Sequence, residues 1–316
     1  MELTAPERQI DVYLASPRGF CAGVVRAVDI VDLALQKYGA PVYVKHQIVH
    51  NPYVVAELEA KGARTVEHVT EIPDGSVVIF SAHGSPPSDF AEARTKRLRV
   101  IDATCPLVAR VHNEARKYSK EGKKVILVGH RGHQEVIGTT GQAPMELMDE
   151  REGKQLPEWG SRAEVAVLTQ TTLSVSDTAK AVHEIQKQYP QAVIRNDICY
   201  ATTNRQDAAR TLAGLVEVVL VIGAQNSSNC NRLKEVAIAS GVAAYLINGP
   251  DEMDMQWFRG VKRVGVTSGA STPEKLVQAV IDTLKPRQVI PVGGPDETIT
   301  FKLPDELRNL PYAPAT

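Results

Sequence analysis

The sequence predicts an α/β protein built of three similar modules, each with a small parallel sheet, around a pseudo-threefold axis. Two observations support this prediction. Short apolar runs rich in β-branched residues alternate with helical segments, and a cysteine followed by a polar cluster recurs three times at nearly constant spacing. Such alternation is typical of parallel strands joined by crossover helices.

The composition is that of an ordered globular protein with almost no net charge. Of the 316 residues, 43% are hydrophobic, and 36 Lys and Arg stand against 37 Asp and Glu, which leaves a formal charge of −1. This balance argues against a nucleic-acid-binding protein, and no apolar run reaches the ~18 residues of a membrane span. Residues 1–7 resemble neither a signal nor a transit peptide, so we expect a soluble, cytoplasmic protein with reduced thiols.

Seven short apolar runs are predicted to be buried strands. Each is followed by a polar cluster and then by a helical pattern. The runs are Ile10–Ala15, Val42–Lys45, Val77–Ser81, Val125–Val128, Val165–Leu168, Val218–Ile222 and Val264–Thr267. Because parallel strands end at the same edge of a sheet, the polar clusters are expected at the edge where open α/β sheets bind ligands.

Several helices have recognisable starts. Asn51 and Cys105 are each followed by a proline, which predicts a helix beginning directly after them. Ser271 and Glu274 have the spacing of a capping box, and they predict a helix over the apolar positions up to Leu284. The polar clusters therefore lie where a strand ends and a helix begins.

Three of the four cysteines recur in the same surroundings. Cys21, Cys105 and Cys199 are 84 and 94 residues apart. A second polar residue follows each of them after 28 or 29 residues; these residues are His50, His133 and Ser227. A period of about ninety residues is longer than that of solenoid repeats, so it indicates three small α/β modules.

The repeat divides the chain into three modules and a tail. The predicted modules span residues 10–105, 106–198 and 199–285, and the N-terminal strand of the first is expected to close the sheet of the third. The proline-rich residues 286–316 are predicted to be a C-terminal tail that either wraps around the modules or is loosely ordered.

Around a pseudo-threefold axis, the three repeated cysteines would meet at one central point. Helix N-termini favour thiolates, and intracellular thiolates select zinc, copper(I) or an iron–sulfur cluster. A four-iron cluster with three protein thiolates keeps one iron open for a substrate. The alternative is ordinary buried cysteines, because free cysteine is among the most buried residue types; the shared spacing favours ligands. Cys230 lies outside the repeat and is predicted to be a bystander or a reactive thiol.

A ring of imidazoles, hydroxyls and an amide is predicted around the cysteines. The members are His50, His83, His133, Thr171, Ser227, Ser228, Asn229 and Ser271. With helix N-termini, this set suits a phosphate or diphosphate, because N–H groups and helix dipoles supply positive potential without a Lys or Arg cluster. Taken singly, each serine or threonine is more often just a helix cap, so the prediction depends on the whole set.

Glu135 is the predicted proton donor of this pocket. It is an acid two residues after His133, and burial would raise its pKa. One alternative is a solvated loop glutamate. Another is a zinc hydrolase that uses His130, His133 and Glu135, although no downstream pair completes a familiar zinc spacing.

Seven motifs follow one another in order between about residues 10 and 285. They are Pro17–Gly23, Val49–Asn51, Phe80–Gly84, Asp102–Pro106, Thr169–Thr172, Asp197–Arg205 and Asn226–Asn229. Together they resemble the 4-hydroxy-3-methylbut-2-enyl diphosphate reductase family. The resemblance implies a cloverleaf of three α/β domains around a 4Fe–4S cluster held by Cys21, Cys105 and Cys199.

The same resemblance implies an activity. The substrate hydroxyl is removed reductively to give isopentenyl and dimethylallyl diphosphate, the last step of the non-mevalonate (methylerythritol phosphate) pathway, with ferredoxin or flavodoxin as electron donor. A redox-sensing or anion-binding iron–sulfur module without turnover is the alternative, but a sensor has no need of so many polar side chains arranged for an anion.

The resemblance also assigns roles residue by residue. The diphosphate is expected at His50, His83, Ser227, Ser228, Asn229 and Ser271. His133, Glu135 and Thr171 are expected to relay protons to the substrate hydroxyl at the open iron. The sequence departs from the family pattern at Gln134, Ile137 and Cys230, and the first two flank the expected relay.

Overall fold

The computed structural model describes residues 10–149, 151–152, 156–311 and 314–315. Over these residues the chain forms three separate parallel sheets with helices between the strands, which confirms the predicted α/β class. None of the described helices has the length and apolar character that crossing a membrane requires. Residues 1–7, used above to argue against a targeting segment, lie outside the described residues, as do 312, 313 and 316 of the predicted tail.

The described strands are short. They are β1 (Asp11–Ala15), β2 (Val42–Lys45), β3 (Ala63–Val66), β4 (Val77–Phe80), β5 (Arg99–Asp102), β6 (Lys124–Val128), β7 (Glu146–Met148), β8 (Val165–Thr169), β9 (Val193–Ile194), β10 (Val218–Ile222), β11 (Ala243–Ile247), β12 (Arg263–Ser268) and β13 (Gln288–Val292). All seven predicted strands are present among them.

The described helices join these strands. They are α1 (Ala22–Tyr38), α2 (Pro52–Ala60), α3 (Pro87–Thr95), α4 (Pro106–Lys120), α5 (Gln134–Thr140), α6 (Val175–Gln188), α7 (Tyr200–Ala213), α8 (Ser228–Ala239) and α9 (Glu274–Leu284). Short 3₁₀ turns lie at Val69–Glu71, Pro250–Glu252 and Met255–Phe258.

Every strand pairing is parallel. The first sheet has the order β3-β2-β4-β5, the second β7-β6-β8-β9, and the third β11-β10-β12-β1-β13. The N-terminal strand β1 lies inside the third sheet, with Val12 opposite Val264 of β12 and Val289 of β13. The first and the last described strands therefore lie in the same sheet.

Each sheet is covered on both faces. In β10, Val218, Leu220 and Ile222 pack into one core, whereas Val219 and Val221 pack into another. Strands β6 and β4 alternate in the same way between two cores. A strand buried on both faces must be apolar at every position, and this is why these strands are continuous β-branched runs.

The helix starts follow the sequence signals, with one exception. Asn51 accepts hydrogen bonds from the backbone N–H of Tyr53 and Val54 at 3.0 and 3.3 Å and caps α2 as predicted. The capping box predicted at Ser271 is wrong, because α9 is preceded by Pro273 and has no side-chain cap. The Ser271 hydroxyl instead donates to the His50 carbonyl oxygen at 3.0 Å, across two sheets.

The predicted tail wraps around the modules where it is described. Gln288–Val292 form β13, the edge strand beside β1, rather than a loose segment. Further on, Leu303 and Leu307 pack into the core between α1 and the first sheet. The tail therefore wraps from the third sheet to the first, since an open strand edge and an apolar helix face are both available to it.

Candidate active site

All predicted site residues line a common pocket of about 730 Å³. They are Cys21, Cys105, Cys199, His50, His83, His133, Glu135, Thr171, Ser227, Ser228, Asn229 and Ser271. Each follows the carboxyl end of a strand, and all three sheets contribute. Side chains from three separate sheets therefore surround one pocket.

The three predicted ligand cysteines occupy the N-cap positions of α1, α4 and α7. A Cβ placed on Gly23 would lie 2.8 Å from Cys105 Sγ and 3.8 Å from Cys21 Sγ, so two thiols lie close around a residue without a side chain. The third thiol, Cys199 Sγ, lies 3.2 Å from Thr202 Oγ1. The three thiols therefore line the same wall of the pocket.

The pKa values of these thiols indicate that the site suits a bound cation. Burial, together with the nearby Cys21, raises the pKa of Cys105 to about 12 and that of Cys199 to about 11. Three thiolates crowded in a dry pocket repel each other, and a bound cation removes that penalty because coordinated thiols are deprotonated.

The donor set fits an iron–sulfur cluster better than a single ion. Among the described residues, no group of three or more His, Cys, Asp or Glu is placed to hold one metal ion. This arrangement disfavours the zinc hydrolase built on His130, His133 and Glu135. A four-iron cluster binds each thiolate through a different iron, so its ligands stand farther apart than those of one ion, as thiols from three separate helices do.

Three histidines form a neutral wall of the pocket. The rings of His50 and His83 stack at 4.0 Å, and the ring of His133 meets them edge-on at 5.2 and 6.0 Å. Burial lowers the pKa of His50 to about 4 and that of His133 to about 3, and it lowers the pKa of His83 well below its usual value, with the neighbouring histidines adding to the effect. The imidazoles are therefore uncharged near neutral pH.

Several buried polar groups in the pocket have no protein partner. Both ring nitrogens of His50 and both side-chain polar atoms of Asn229 are buried without a hydrogen bond. Asn229 lies in the first turn of α8, where the backbone N–H groups and the helix dipole favour an anion. Because buried polar atoms are rarely left unpaired, these groups are suited to bind a polar ligand.

The hydroxyl residues also connect the sheets. Ser227 caps α8 by accepting from the backbone N–H of Cys230 at 3.4 Å, and Ser228 donates to the Thr172 carbonyl oxygen at 3.1 Å. With the bond from Ser271 to His50, the loops of the third sheet are tied to the first and second sheets. The part of the pocket around the first turn of α8 is thereby assembled from all three sheets.

Glu135 is buried at 3% exposure, so the solvated-loop alternative is wrong. Its carboxyl accepts from the backbone N–H of Thr171 at 2.6 Å and from the Thr171 hydroxyl at 3.0 Å. Burial raises the pKa of Glu135 to about 7, although both bonds from Thr171 lower it. His133 Nδ1 accepts from the Glu135 backbone N–H at 3.2 Å, which leaves the proton of the neutral ring on Nε2.

The departures from the family pattern lie away from the pocket. Ile137 is 43% exposed, and neither Ile137 nor Gln134 lines the pocket. The Cys230 thiol is fully buried, and a Cβ on Gly223 or Gly269 would lie 2.3 or 2.1 Å from its sulfur. Cys230 therefore fills the space between two strand ends and is not an accessible reactive thiol.

Sequence reasoning missed two polar residues of the pocket, Thr172 and Thr202. A third, Gln170, is buried behind them and donates from Nε2 to Thr172 Oγ1 at 2.9 Å and to Ser228 Oγ at 3.4 Å. The signal that could have found them is present, because the motifs 169–172 and 197–205 contain all three.

Comparisons with known proteins agree on one family. The LytB protein family model matches residues 12–285. The 4-hydroxy-3-methylbut-2-enyl diphosphate reductase of Acidothermus cellulolyticus is 50% identical over 96% of this chain and 91% of its own length. The enzyme of the same name from Actinobacillus pleuropneumoniae is 49% identical over 95% of this chain and 98% of its own.

Solved structures give the same result. The E-1-hydroxy-2-methyl-but-2-enyl-4-diphosphate reductase from Plasmodium falciparum superposes with a TM-score of 0.90 at 36% identity, over 95% of this chain and 97% of that one. A second structure, of (E)-4-hydroxy-3-methyl-but-2-enyl diphosphate reductase, described as the terminal enzyme of the non-mevalonate pathway, has a TM-score of 0.63 at 35% identity, over 87% and 99%.

Proposed function

The chain belongs to the LytB family, and we propose that it reduces 4-hydroxy-3-methylbut-2-enyl diphosphate. By that membership it is an oxidoreductase of isoprenoid biosynthesis. The reaction consumes two electrons and two protons, breaks the bond between carbon and the hydroxyl oxygen, and releases water with isopentenyl or dimethylallyl diphosphate. The observation that supports it best is the convergence of three thiols, a buried acid and unpartnered anion-binding groups in one pocket.

The cofactor of this proposal is a 4Fe–4S cluster held by Cys21, Cys105 and Cys199. When bound, it would pass the two electrons of the external donor to the substrate one at a time, and it would offer the substrate an iron without a protein ligand. The thiols fit it because they come from three helix N-termini, and two of them, those of Cys21 and Cys105, lie beside Gly23, where a side chain would displace a sulfur. The protein contributes the dry pocket and the orientation of the substrate.

The diphosphate is proposed to lie against the first turn of α8. It would be held by His50, His83, Ser227, Ser228, Asn229 and Ser271. Neutral imidazoles and hydroxyls donate hydrogen bonds, and the helix N-terminus adds partial positive charge. A bound diphosphate also favours protonation of the buried imidazoles, because an opposite charge nearby favours the charged form.

Protons are proposed to reach the reacting carbon and oxygen through Glu135, Thr171 and His133. With a pKa of about 7, Glu135 is protonated in a large fraction of molecules near neutral pH, so it has a proton to donate. Thr171 bonds to this acid through its hydroxyl and also lines the pocket, and the proton on His133 Nε2 makes that ring a donor to the substrate. The substrate hydroxyl can then leave as water and does not have to leave as a hydroxide ion.

Three further parts of the proposal concern organisation and partners. We propose the modules 10–105, 106–198 and 199–285 with the tail 286–316. The electron donor is proposed to be ferredoxin or flavodoxin, and the location is proposed to be the cytoplasm, where the ligand thiols stay reduced.

Anaerobic reconstitution with iron and sulfide tests the proposal. We expect a brown protein whose absorption and electron paramagnetic resonance spectra show a cluster, and we expect Cys105→Ser to lose it. With a chemical reductant and substrate, the wild type should form both products, whereas a redox sensor would form neither. A wild-type protein that binds no iron would falsify the proposal.

A further inference from the structure

The C-terminal tail passes the three cysteine-bearing segments in turn. After β13 it reaches Gly294, where a Cβ would lie 2.2 Å from the Ser16 carbonyl oxygen. Ser16 follows β1 and leads into the loop that ends at Cys21. The backbone of the tail is therefore in direct contact with the segment that precedes the first ligand.

Three residues further on, Glu297 connects the tail to the helix of the third ligand. Its carboxylate accepts from Arg205 Nη1 at 2.8 Å, from Arg205 Nη2 at 3.2 Å and from Asn204 Nδ2 at 3.1 Å. Arg205 is fully buried on α7, six residues after Cys199. The tail thus supplies the carboxylate for a buried guanidinium on the helix that Cys199 caps.

The same guanidinium reaches back to the segment of the first ligand. Arg205 Nη2 donates to the Gly19 carbonyl oxygen at 2.9 Å, two residues before Cys21. Since a guanidinium is planar and presents its donors in a fixed fork, the bonds to Glu297 and Gly19 set the position of one group relative to the other. Arg205 therefore joins the segments of the first and third ligands.

A second arginine joins the first and second ligands. Arg26 lies on α1, five residues after Cys21. It donates from Nε to the Lys302 carbonyl oxygen of the tail at 2.8 Å, and from Nη1 to the carbonyl oxygens of Ala103 and Thr104 at 3.2 and 3.1 Å. Those two residues lead directly into Cys105, so the tail holds an arginine that also holds the approach to the second ligand.

We propose that the tail segment Gly294–Lys302 is a clamp that positions the three cysteine ligands through Arg205 and Arg26. This inference rests on the proposed function, since it concerns the cluster that the cysteines hold. Residues behind the ligands of a metal centre orient them, and their loss typically costs 10–100-fold in metal affinity or activity. Here each arginine bridges two ligand segments and the tail.

A clamp and a purely structural tail are expected to differ in their effect on the rate of cluster loss. A tail that only covers a sheet edge and an apolar helix face would affect the stability of the whole chain. A clamp affects the rate at which the cluster is lost, and it does so only through residues bonded to the arginines. Tail residues bonded elsewhere provide the control.

The test compares three variants of the full chain, each reconstituted anaerobically with iron and sulfide. Glu297→Gln weakens the contact to Arg205, and Arg26→Lys removes the fork that spans Lys302, Ala103 and Thr104. Glu306→Gln is the matched control, because its carboxylate lies on the same tail but accepts from the Tyr38 hydroxyl at the end of α1, at 3.3 Å. The rate of iron release to a chelator, the resonance spectrum of the reduced cluster and the denaturation midpoint of the iron-free chain are measured for each.

We expect Glu297→Gln and Arg26→Lys to release iron about tenfold faster than the wild type and to shift the resonance spectrum. Glu306→Gln should behave as the wild type. The clamp is overturned if both variants release iron at the wild-type rate, or if Glu306→Gln releases it equally fast. If Glu297→Gln does not fold, Arg26→Lys decides alone. A wild type without iron contradicts the proposed function itself and is seen before any variant is compared.

Discussion

Burial affects the pKa of Glu135 more strongly than the hydrogen bonds around its carboxyl group do. Two donors from Thr171 favour the carboxylate, yet the pKa of Glu135 is raised to about 7, because the carboxyl group is removed from water. The same burial keeps the nearby histidines neutral. An acid that keeps its proton and imidazoles that do not acquire one can coexist only in a dry pocket.

The pH dependence of turnover follows from this raised pKa. We expect kcat to fall as pH rises above about 7, because the protonated fraction of Glu135 then decreases about tenfold per unit. Glu135→Gln should lose a hundredfold or more of kcat, on the order of a general-acid contribution, and should lack this limb of the profile while keeping its iron content. Wild-type turnover in Glu135→Gln would remove this residue from the acid role.

Thr171→Val is a second test of whether Glu135 causes the falling limb of that profile. It removes the hydroxyl bond that favours the carboxylate but keeps the backbone donor, so the falling limb should move to higher pH. A limb that stays at the wild-type pH would show that another group titrates.

At the level of elements, whether a strand was predicted from the sequence depends on its position in the sheet. The seven predicted strands are β1, β2, β4, β6, β8, β10 and β12, and all are interior. The six missed strands are β3, β5, β7, β9, β11 and β13, and all are edges. Edge strands are partly exposed, so several of them carry charges, such as those of Arg99 and Asp102 in β5, and do not form continuous apolar runs. The edge strand β11 is apolar throughout and was missed all the same.

The first turn of α1 shows how the site constrains an element. Alanine is a better helix former than glycine by about 1 kcal/mol, so Gly23→Ala should leave the iron-free chain at least as stable. Its Cβ would lie 2.8 Å from Cys105 Sγ, so we expect iron content after reconstitution to fall severalfold. Iron and sulfide analysis, with the denaturation midpoint, measures both effects.

Gly214→Ala is the control for this substitution. Gly214 has a φ of −72° at the end of α7, and the nearest atom to an added Cβ is the Thr211 carbonyl oxygen at 3.5 Å, an ordinary contact. It should retain full iron content. Equal iron in Gly23→Ala and the wild type would show that the sulfurs do not need the space beside Gly23.

At the scale of the whole molecule, the pocket couples the three sheets. Hydrogen bonds from Ser271 to His50 and from Ser228 to Thr172 cross between sheets, and the unpartnered groups of His50 and Asn229 face the same ligand site. A ligand that bonds to these groups binds only the assembled molecule. It therefore stabilises all three sheets together.

Inorganic pyrophosphate should raise the unfolding temperature of the iron-free chain. At one hundred times its dissociation constant, a ligand specific for the folded state adds about 2.7 kcal/mol to the free energy of unfolding. Asn229→Ala should lose most of this gain, because its amide is buried in the pocket with no other partner. Thermal denaturation with and without pyrophosphate measures it.

The control is a nearby asparagine of the same motif. Asn226 is exposed, donates to the Gln47 side chain at 3.0 Å and does not line the pocket. Asn226→Ala should keep the stabilisation by pyrophosphate. An equal loss in both variants would show that pyrophosphate binds elsewhere.

Local patterns in the sequence were enough to identify the interior strands, the three equivalent cysteines and the family, whose membership is confirmed. Strands buried on both faces must be apolar throughout, and ligand residues at helix starts recur with their strands, so both can be recognised in short windows of sequence. Only the tertiary structure shows that Ser271 bonds to His50 rather than capping its own helix, and that β1 lies between β12 and β13. It alone also shows that the tail joins the segments of the three repeated cysteines. These contacts join residues up to 277 positions apart, such as Asp11 and Gln288, and their formation depends on how the sheets pack, which no local pattern records.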